Sequence, residues 1–426
     1  MGDSPITSQW MALQAAGTDV PPIYNDGQLI SENIWGWVLK TLGAPFTAPY
    51  TPYPVYSDPA SNNGIFRIPK APGEPVSIAL LADWASDTVE SQLIGSQAGP
   101  DNDYSVHLGD TYFIGKQDEI AANFYKESGG TWPYATLGSF AIPGNHEMYS
   151  GGTAYFEGLL PRMGSYNAAG IEQPQQASFF CLENDYWRII GLDTGYESLT
   201  PPLHLAQNPA LDITPEQKQW LQDIVKLNDD QRGIILLTHH QCFSAFEPEF
   251  PNPMSSISTL MNPGRDLIWL WGHEHWFAVY GANQLHNGAN VFARCIGNSG
   301  MPVELTVNGG IKQPKNNLPH MPENRNLVIY DQRQREVING NVPLGHNGYV
   351  IATLNDANLT LSYFDDNGGA GAGRKLLEEN WTIDTTTGKL TGQSITDLTA
   401  NGINTAAEQL SPFIGANLTD AITPTS

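Results

Sequence analysis

VSIALLAD, residues 76–83, is an unbroken apolar run that stops at an acid. A strand with both faces buried in an α/β core reads this way, because neither face alternates with polar residues. The pattern recurs down the chain. YSVHLGD closes on Asp110, TLGSFAIPGNHE passes through Asn145 and His146, and WRIIGLDTGY spans 187–196. RGIILLTHH closes on His239 and His240, and DLIWLWGHEH on His275. Helical stretches such as DEIAANFYKE and TPEQKQWLQDIVKLN lie between these runs. In the second, Thr214 is the expected N-cap, Pro215 the first helical residue and Gln217 the capping-box partner. Strands alternating with helices predict an α/β core.

Outside this region the composition changes. The first 74 residues are rich in Pro, Tyr, Asn and Gly, and TLGAPFTAPYTPYPVYSDPASNNG reads as an irregular N-terminal arm. One short helix is expected over ENIWGWVLKTLG, where Trp35, Val38 and Leu39 share a face. Beyond Cys295, residues 303–345 are loop-rich. GYVIATL and NLTLSYFD then flank the turn Asn355–Asn358, which predicts a hairpin over 348–365. DDNGGAGAGR is flexible by composition. The expected organisation is an arm over 1–74, a main domain over 75–365 and a flexible or weakly ordered C-terminal extension over 366–426.

The chain has 426 residues, with 44 acidic against 20 basic and a formal charge of −24. A nucleic acid duplex or an acidic membrane surface is not an expected partner for such a surface. A small anion remains an expected partner, because bound cations reverse the local sign. Cys181, Cys242 and Cys295 match no zinc or CxxC spacing and are expected to be buried thiols. MGDSPITSQW lacks the basic and apolar regions of a signal peptide, and no run reaches the roughly 20 apolar residues of a membrane helix. A cytoplasmic protein is the default expectation, or a secreted one whose leader has been removed.

The chemistry sits where the apolar runs stop. In open α/β folds, ligands bind beyond the carboxyl ends of the strands. Residues distant in sequence can meet there: here Asp83, Asp110, Asn145, His239, His273 and His275. Mixed oxygen and nitrogen donors suit Mn, Fe or Zn. Taken singly, each residue has a plain structural explanation, such as an Asp that forms a Gly turn or a His that ends a strand. Their joint occurrence in this order is what calls for a site.

The strings LADWAS, LGDTYF, GNHE, LLTHH and GHEH, in this order over residues 76 to about 280, resemble the calcineurin-like metallophosphoesterases. Within that family they resemble the purple acid phosphatase branch. The resemblance implies a two-sheet metallophosphoesterase sandwich with flanking helices. It implies two divalent or mixed-valence metal ions. Asp110 would bridge them, Asp83 and His275 would hold the first, and Asn145, His239 and His273 the second. His146 would contact the transition state, donating a proton to the leaving oxygen or stabilising a phosphoryl oxygen. The implied reaction is hydrolysis of a phosphomonoester by a hydroxide that bridges the metals.

The match has gaps. Many relatives carry DxH at the first aspartate, whereas Ala85 cannot bind metal. In the purple acid phosphatase branch a Tyr three residues after the bridging Asp compensates. Here that position is Phe113, and Tyr112 lies two residues after Asp110, so Tyr112 is a candidate ligand. His240 is expected to line the pocket or orient a ligand. Trp84, Phe113, Trp276 and Phe277 are either an aromatic wall at the site or ordinary core. Arg294 is either a phosphate contact or a surface residue, and Glu147 and Glu274 are expected beside the ligands or in solvent. Two other functions fit the same residues: a phosphodiesterase or nucleotide pyrophosphatase, and a structural or interaction protein with a vestigial site.

Overall fold

A computed structural model describes residues 49–57, 62–200, 207–307, 310–311, 327–338, 342–369 and 371–397. The helix expected at 32–43 lies outside these residues. Two large mixed sheets pack face to face. The first joins β1 (Ile65–Arg67), β7 (Phe180–Glu183), β8 (Trp187–Gly191), β9 (Gly233–Thr238), β10 (Leu267–Trp271), β12 (Asn290–Ile296), β11 (Phe277–Gln284) and β15 (Leu327–Tyr330), in that spatial order. The second runs β21 (Lys389–Asp397), β20 (Arg374–Asp384), β19 (Asn358–Asp365), β18 (Gly348–Asn355), β2 (Val76–Leu81), β3 (Tyr104–His107), β4 (Gly138–Ala141), β5 (Gly164–Asn167) and β6 (Gly170–Pro174). Two small ribbons, β13 (Thr306–Val307) with β14 (Gly310–Ile311) and β16 (Glu336–Ile338) with β17 (Val342–Leu344), complete the strands. The α/β two-sheet sandwich is therefore as expected.

The apolar runs are continuous because each strand buries both faces. In β2, Val76, Ile78 and Leu80 point between the sheets, while Ala79 and Leu81 join the outer layer. In β10, Ile268 and Leu270 face inward, and Leu267, Trp269 and Trp271 face outward. The pleat's period of two divides the side chains this way. Helices cover the outer layers: α1 (Val89–Ala98) and α2 (Gln117–Phe124) on one side, α4 (Pro215–Asp223) and α5 (Pro251–Leu260) on the other. A short α3 (Asn145–Met148) follows β4. Thr214 caps α4 by accepting from the Gln217 N–H. The Gln217 side chain does not close a capping box. It bonds both the N–H and the carbonyl of Asp193, tying the helix to the end of β8.

Three expectations need correction. Residues 374–397 are two long strands of the second sheet, not a weakly ordered extension. Trp381, Ile383 and Leu390 bury their side chains in the central core, and that burial orders a segment whose Thr and Asn content suggested otherwise. The described part of the arm is also built in. Ile65–Arg67 pair in parallel with β7, and Tyr53 and Tyr56 pack on Phe179. Arg294 touches neither solvent nor the site. It is fully buried between the sheets and forms a two-pronged ion pair with Glu379, at 2.7 and 2.6 Å. The hairpin and the buried thiols are as expected.

Candidate metal centre

The parallel strands β2, β3 and β4 of one sheet and β9 and β10 of the other carry the polar residues at their carboxyl ends. The chain must turn sharply there. Asp83, Asp110 and His273 adopt left-handed backbone conformations, with φ of 56°, 70° and 65°. Such conformations are uncommon outside glycine and concentrate where surrounding structure enforces a function. Gly109 supplies clearance, since a Cβ there would lie 2.6 Å from His239 Nδ1. A Cβ on Gly144 would collide with Asp110 Oδ1.

Asp83, Asp110, Tyr112 and His275 come together in one group, and His239, His240 and His273 in a second. In the first, the Tyr112 hydroxyl lies 2.9 Å from Asp83 Oδ1, 3.0 Å from Asp110 Oδ2 and 2.7 Å from His275 Nε2. Asp83, Asp110 and His275 have donor atoms close enough together to hold one ion. Tyr112, two residues after Asp110 instead of three, still reaches this group. In the second, His239 Nε2 lies 3.3 Å from Asp110 Oδ1, and the His239, His240 and His273 rings pack together. Asn145 sits at the start of α3, one residue beyond Gly144. The Asn145 Oδ1 and His239 Nε2 atoms are buried without a protein hydrogen-bond partner. Burying such atoms unpaired is costly. The donor set therefore fits cations in both groups.

Second-tier contacts hold these residues in place. His239 Nδ1 lies 2.8 Å from the Leu108 carbonyl, which leaves Nε2 free as a donor atom. His146 Nδ1 lies 2.5 Å from the Phe113 carbonyl, and its Nε2 is 3.8 Å from Asp110 Oδ2. Glu147 is buried and accepts from the N–H groups of Asp110 and Gly144 at 3.1 and 2.8 Å. Glu274 is buried and accepts from the Ser244 hydroxyl. His240 accepts or shares a proton with Thr194 through Nδ1, while its buried Nε2 has no protein partner. The four aromatics divide. Phe113 packs on His146, but Trp84 packs with Phe124 and Trp132, Trp276 with Phe246 and Tyr330, and Phe277 with Tyr363. Those three are core, placed by the outward or inward face of their strand ends.

The carboxylates and imidazoles of the centre shift one another's protonation. Burial opposes the charge of Asp110, yet His239 and His146 hold its carboxyl well below the usual range. Burial likewise opposes protonation of His239, and the Asp110 carboxylate overrides it, raising the imidazole to about 9. Burial and the two aspartates push the Tyr112 phenol well above its ordinary value. Another histidine–carboxylate group, His346 with Asp365 and Asp366, lies outside this centre. Its charges are already met, because Arg333 and Arg374 bind Asp365 and Arg335 binds Asp366.

Sequence reading missed Gln207, whose side-chain Nε2 lies 2.8 Å from His273 Nε2. No motif marks it. It forms a backbone bridge with Leu199, and only the fold brings it to the site.

The fold and the centre define a class: an α/β sandwich with clustered metal-coordinating residues at its strand ends. Residues 78–277 match the model of the calcineurin-like phosphoesterase family. No curated protein matches the sequence. Solved structures that resemble it distantly include PhoD, 12% identical over 77% of this chain and 73% of that one, with a TM-score of 0.46. Another is GAP50 of Plasmodium, described as the anchor in the inner membrane complex, 13% identical over 83% and 98% with a TM-score of 0.44. A predicted phosphoesterase of Streptococcus pneumoniae is 10% identical over 71% and 98%, with a TM-score of 0.24. Among the described residues, no helix is long and apolar enough to cross a membrane.

Proposed function

We propose that this chain hydrolyses a small phosphomonoester with two metal ions. The observation that carries the reading is the division of Asp110 between the two groups. Its Oδ2 faces Tyr112, and its Oδ1 faces His239. A carboxylate so placed can hold two cations at once. In this reading Asp83, Tyr112 and His275 complete the first site, and Asn145, His239 and His273 the second. Mn, Fe and Zn all suit these donors.

When bound, the ions polarise the phosphoryl group and supply a water nucleophile at neutral pH. The chain's own residues do the rest. His146 donates its Nδ1 proton to the Phe113 carbonyl, which fixes the ring with Nε2 toward the centre. Nε2 is the atom that can deliver a proton to the leaving oxygen. Glu147 holds the turn that presents Asp110. Tyr112 has one proton and three close polar neighbours. The preference for a monoester rests on the tyrosine-containing donor set and its likeness to the purple acid phosphatase branch.

The test supplies metal-stripped protein with Mn(II) and compares an aryl phosphomonoester with the matching diester. Faster monoester turnover, abolished in Asp110→Ala, is the expected result. Faster diester turnover would move the assignment to a phosphodiesterase or nucleotide pyrophosphatase. No bound metal and no turnover would leave a vestigial site. The Tyr112 role has its own readout. Protein loaded with Fe(III) should show a visible tyrosinate band that Tyr112→Phe lacks, and an unchanged spectrum in that variant removes Tyr112 from the ligands.

A further inference from the structure

We infer that Gln207 is a positioning residue that selects the metal-binding tautomer of His273. The inference rests on the metal assignment just proposed. The two residues meet nitrogen to nitrogen, with Gln207 Nε2 2.8 Å from His273 Nε2. An amide nitrogen has no lone pair to give, so it can only donate. If it donates here, His273 Nε2 is the acceptor and Nδ1 carries the proton. Neither ring nitrogen is then available to a cation.

The amide oxygen and nitrogen are nearly the same size, and their placement is decided by their partners. With the amide turned by half a turn, Oε1 accepts from His273 Nε2–H. The Nδ1 lone pair is then free for the second ion. Metal-ligating histidines almost always pass their other N–H to such an acceptor, which fixes the ring and raises its basicity. Among the described residues, no hydrogen bond to His273 Nδ1 from a carboxylate or carbonyl competes with this arrangement. The His273 backbone is separately fixed, since its N–H donates to Asp83 Oδ2 at 2.7 Å.

Gln207 is itself well anchored. It forms a backbone bridge with Leu199, and the next residue, Asn208, donates its N–H to the Ser198 carbonyl at 2.7 Å. The Asn208 side chain also donates to the Glu197 carbonyl. These backbone contacts hold the amide at the ring. The side chain is only half-buried, so replacing it leaves the core intact.

Calorimetric titration of metal-stripped full-length protein with Mn(II) alone tests the inference. The wild type should take up two equivalents. Gln207→Leu, similar in shape but without an acceptor, should bind the second equivalent about 10–100-fold more weakly and the first unchanged. Gln207→Glu keeps an acceptor oxygen and should restore the second affinity or exceed it. His273→Ala should lose the second equivalent and keep the first, which also reports that the protein is folded. If Gln207→Leu binds both equivalents as the wild type does while His273→Ala loses one, the role of Gln207 is overturned and the metal assignment stands. If His273→Ala still binds two, the metal assignment fails and the inference with it.

Discussion

His146 and Asp193 show how single side chains at this centre acquire separate duties. The His146 ring is pinned by the Phe113 carbonyl and is not one of the grouped donor atoms. His146→Ala should therefore lower turnover by about 10²–10⁴-fold, the usual contribution of a general acid, with both metals retained. Loss of metal from that variant, measured by elemental analysis, would contradict the role. Asp193 lies behind the GNHE turn, where it accepts from the Ser178 hydroxyl and from the N–H groups of Gly195 and Tyr196. Burial raises its carboxyl to about 7, despite those hydrogen bonds. Its folded pKa is thus above its unfolded one. The protonated form favours folding, so this contribution is complete below about pH 4 and is lost as pH rises through about 7. Asp193→Asn can still accept from both N–H groups. Urea unfolding of this variant should show a flatter decline in stability between pH 4 and 7 than the wild type. An identical slope would mean the proton is not held there. Neither effect was readable from residue type. The candidate ligands stood out because each lies at the end of an apolar run, whereas Asp193 and Glu147 make their contacts with backbone turns and Gln207 makes a lone side-chain contact.

At the scale of elements, the joint between the sheets is polar at one point. Arg294 on β12 and Glu379 on β20 are fully buried and face each other. Glu379 also accepts from the Tyr363 hydroxyl at 2.8 Å and from Trp381 Nε1 at 3.0 Å. Arg294 donates further to the carbonyls of Tyr280 and Ala293. The pair is thus saturated, as a buried charge requires. Removing one partner strands the other, so Glu379→Ala should destabilise the fold by about 3–5 kcal/mol. An apolar double replacement, Arg294→Met with Glu379→Leu, should recover most of that loss. Urea unfolding of the two variants checks this, and equal loss in both would show that packing, not charge, is the cause. A trace of this joint was visible in the sequence. Leu377, Trp381 and Ile383 share the inner face of β20, and Glu379 interrupts them in register. Phe292 and Ile296 bracket Arg294 in the same way. A charge in step with buried apolar neighbours on two strands is a pairing signal. Nothing in one sequence says which two charges meet.

For the whole molecule, the question is where the sandwich ends. Apolar runs and their terminal ligands made the central strands legible, because those strands bury both faces and carry no polar alternation. The outer strands β20 and β21 were not legible. β20 buries one face only, and its Asn and Thr content resembles loop. Yet Leu376, Leu377, Trp381, Ile383 and Leu390 all contribute to the central core. Burial of each is worth roughly 1.5–3 kcal/mol by area, an amount no marginal fold can lose repeatedly. Removing the strands would also leave β19 as an open edge and Arg294 buried without its partner. A chain ended at Gly369 should therefore be recovered mainly as aggregate, and any soluble fraction should unfold below the wild-type urea midpoint. Soluble yield and that midpoint are the measurements. If the chain ended at Gly369 stayed soluble and unfolded like the wild type, β20 and β21 would be an ornament, as their composition suggested. The metal centre gives a second readout. Strand β2, which leads to Asp83, pairs with β18, which pairs with β19, so collapse of this edge should also cost the Mn(II) equivalent proposed for Asp83 and His275.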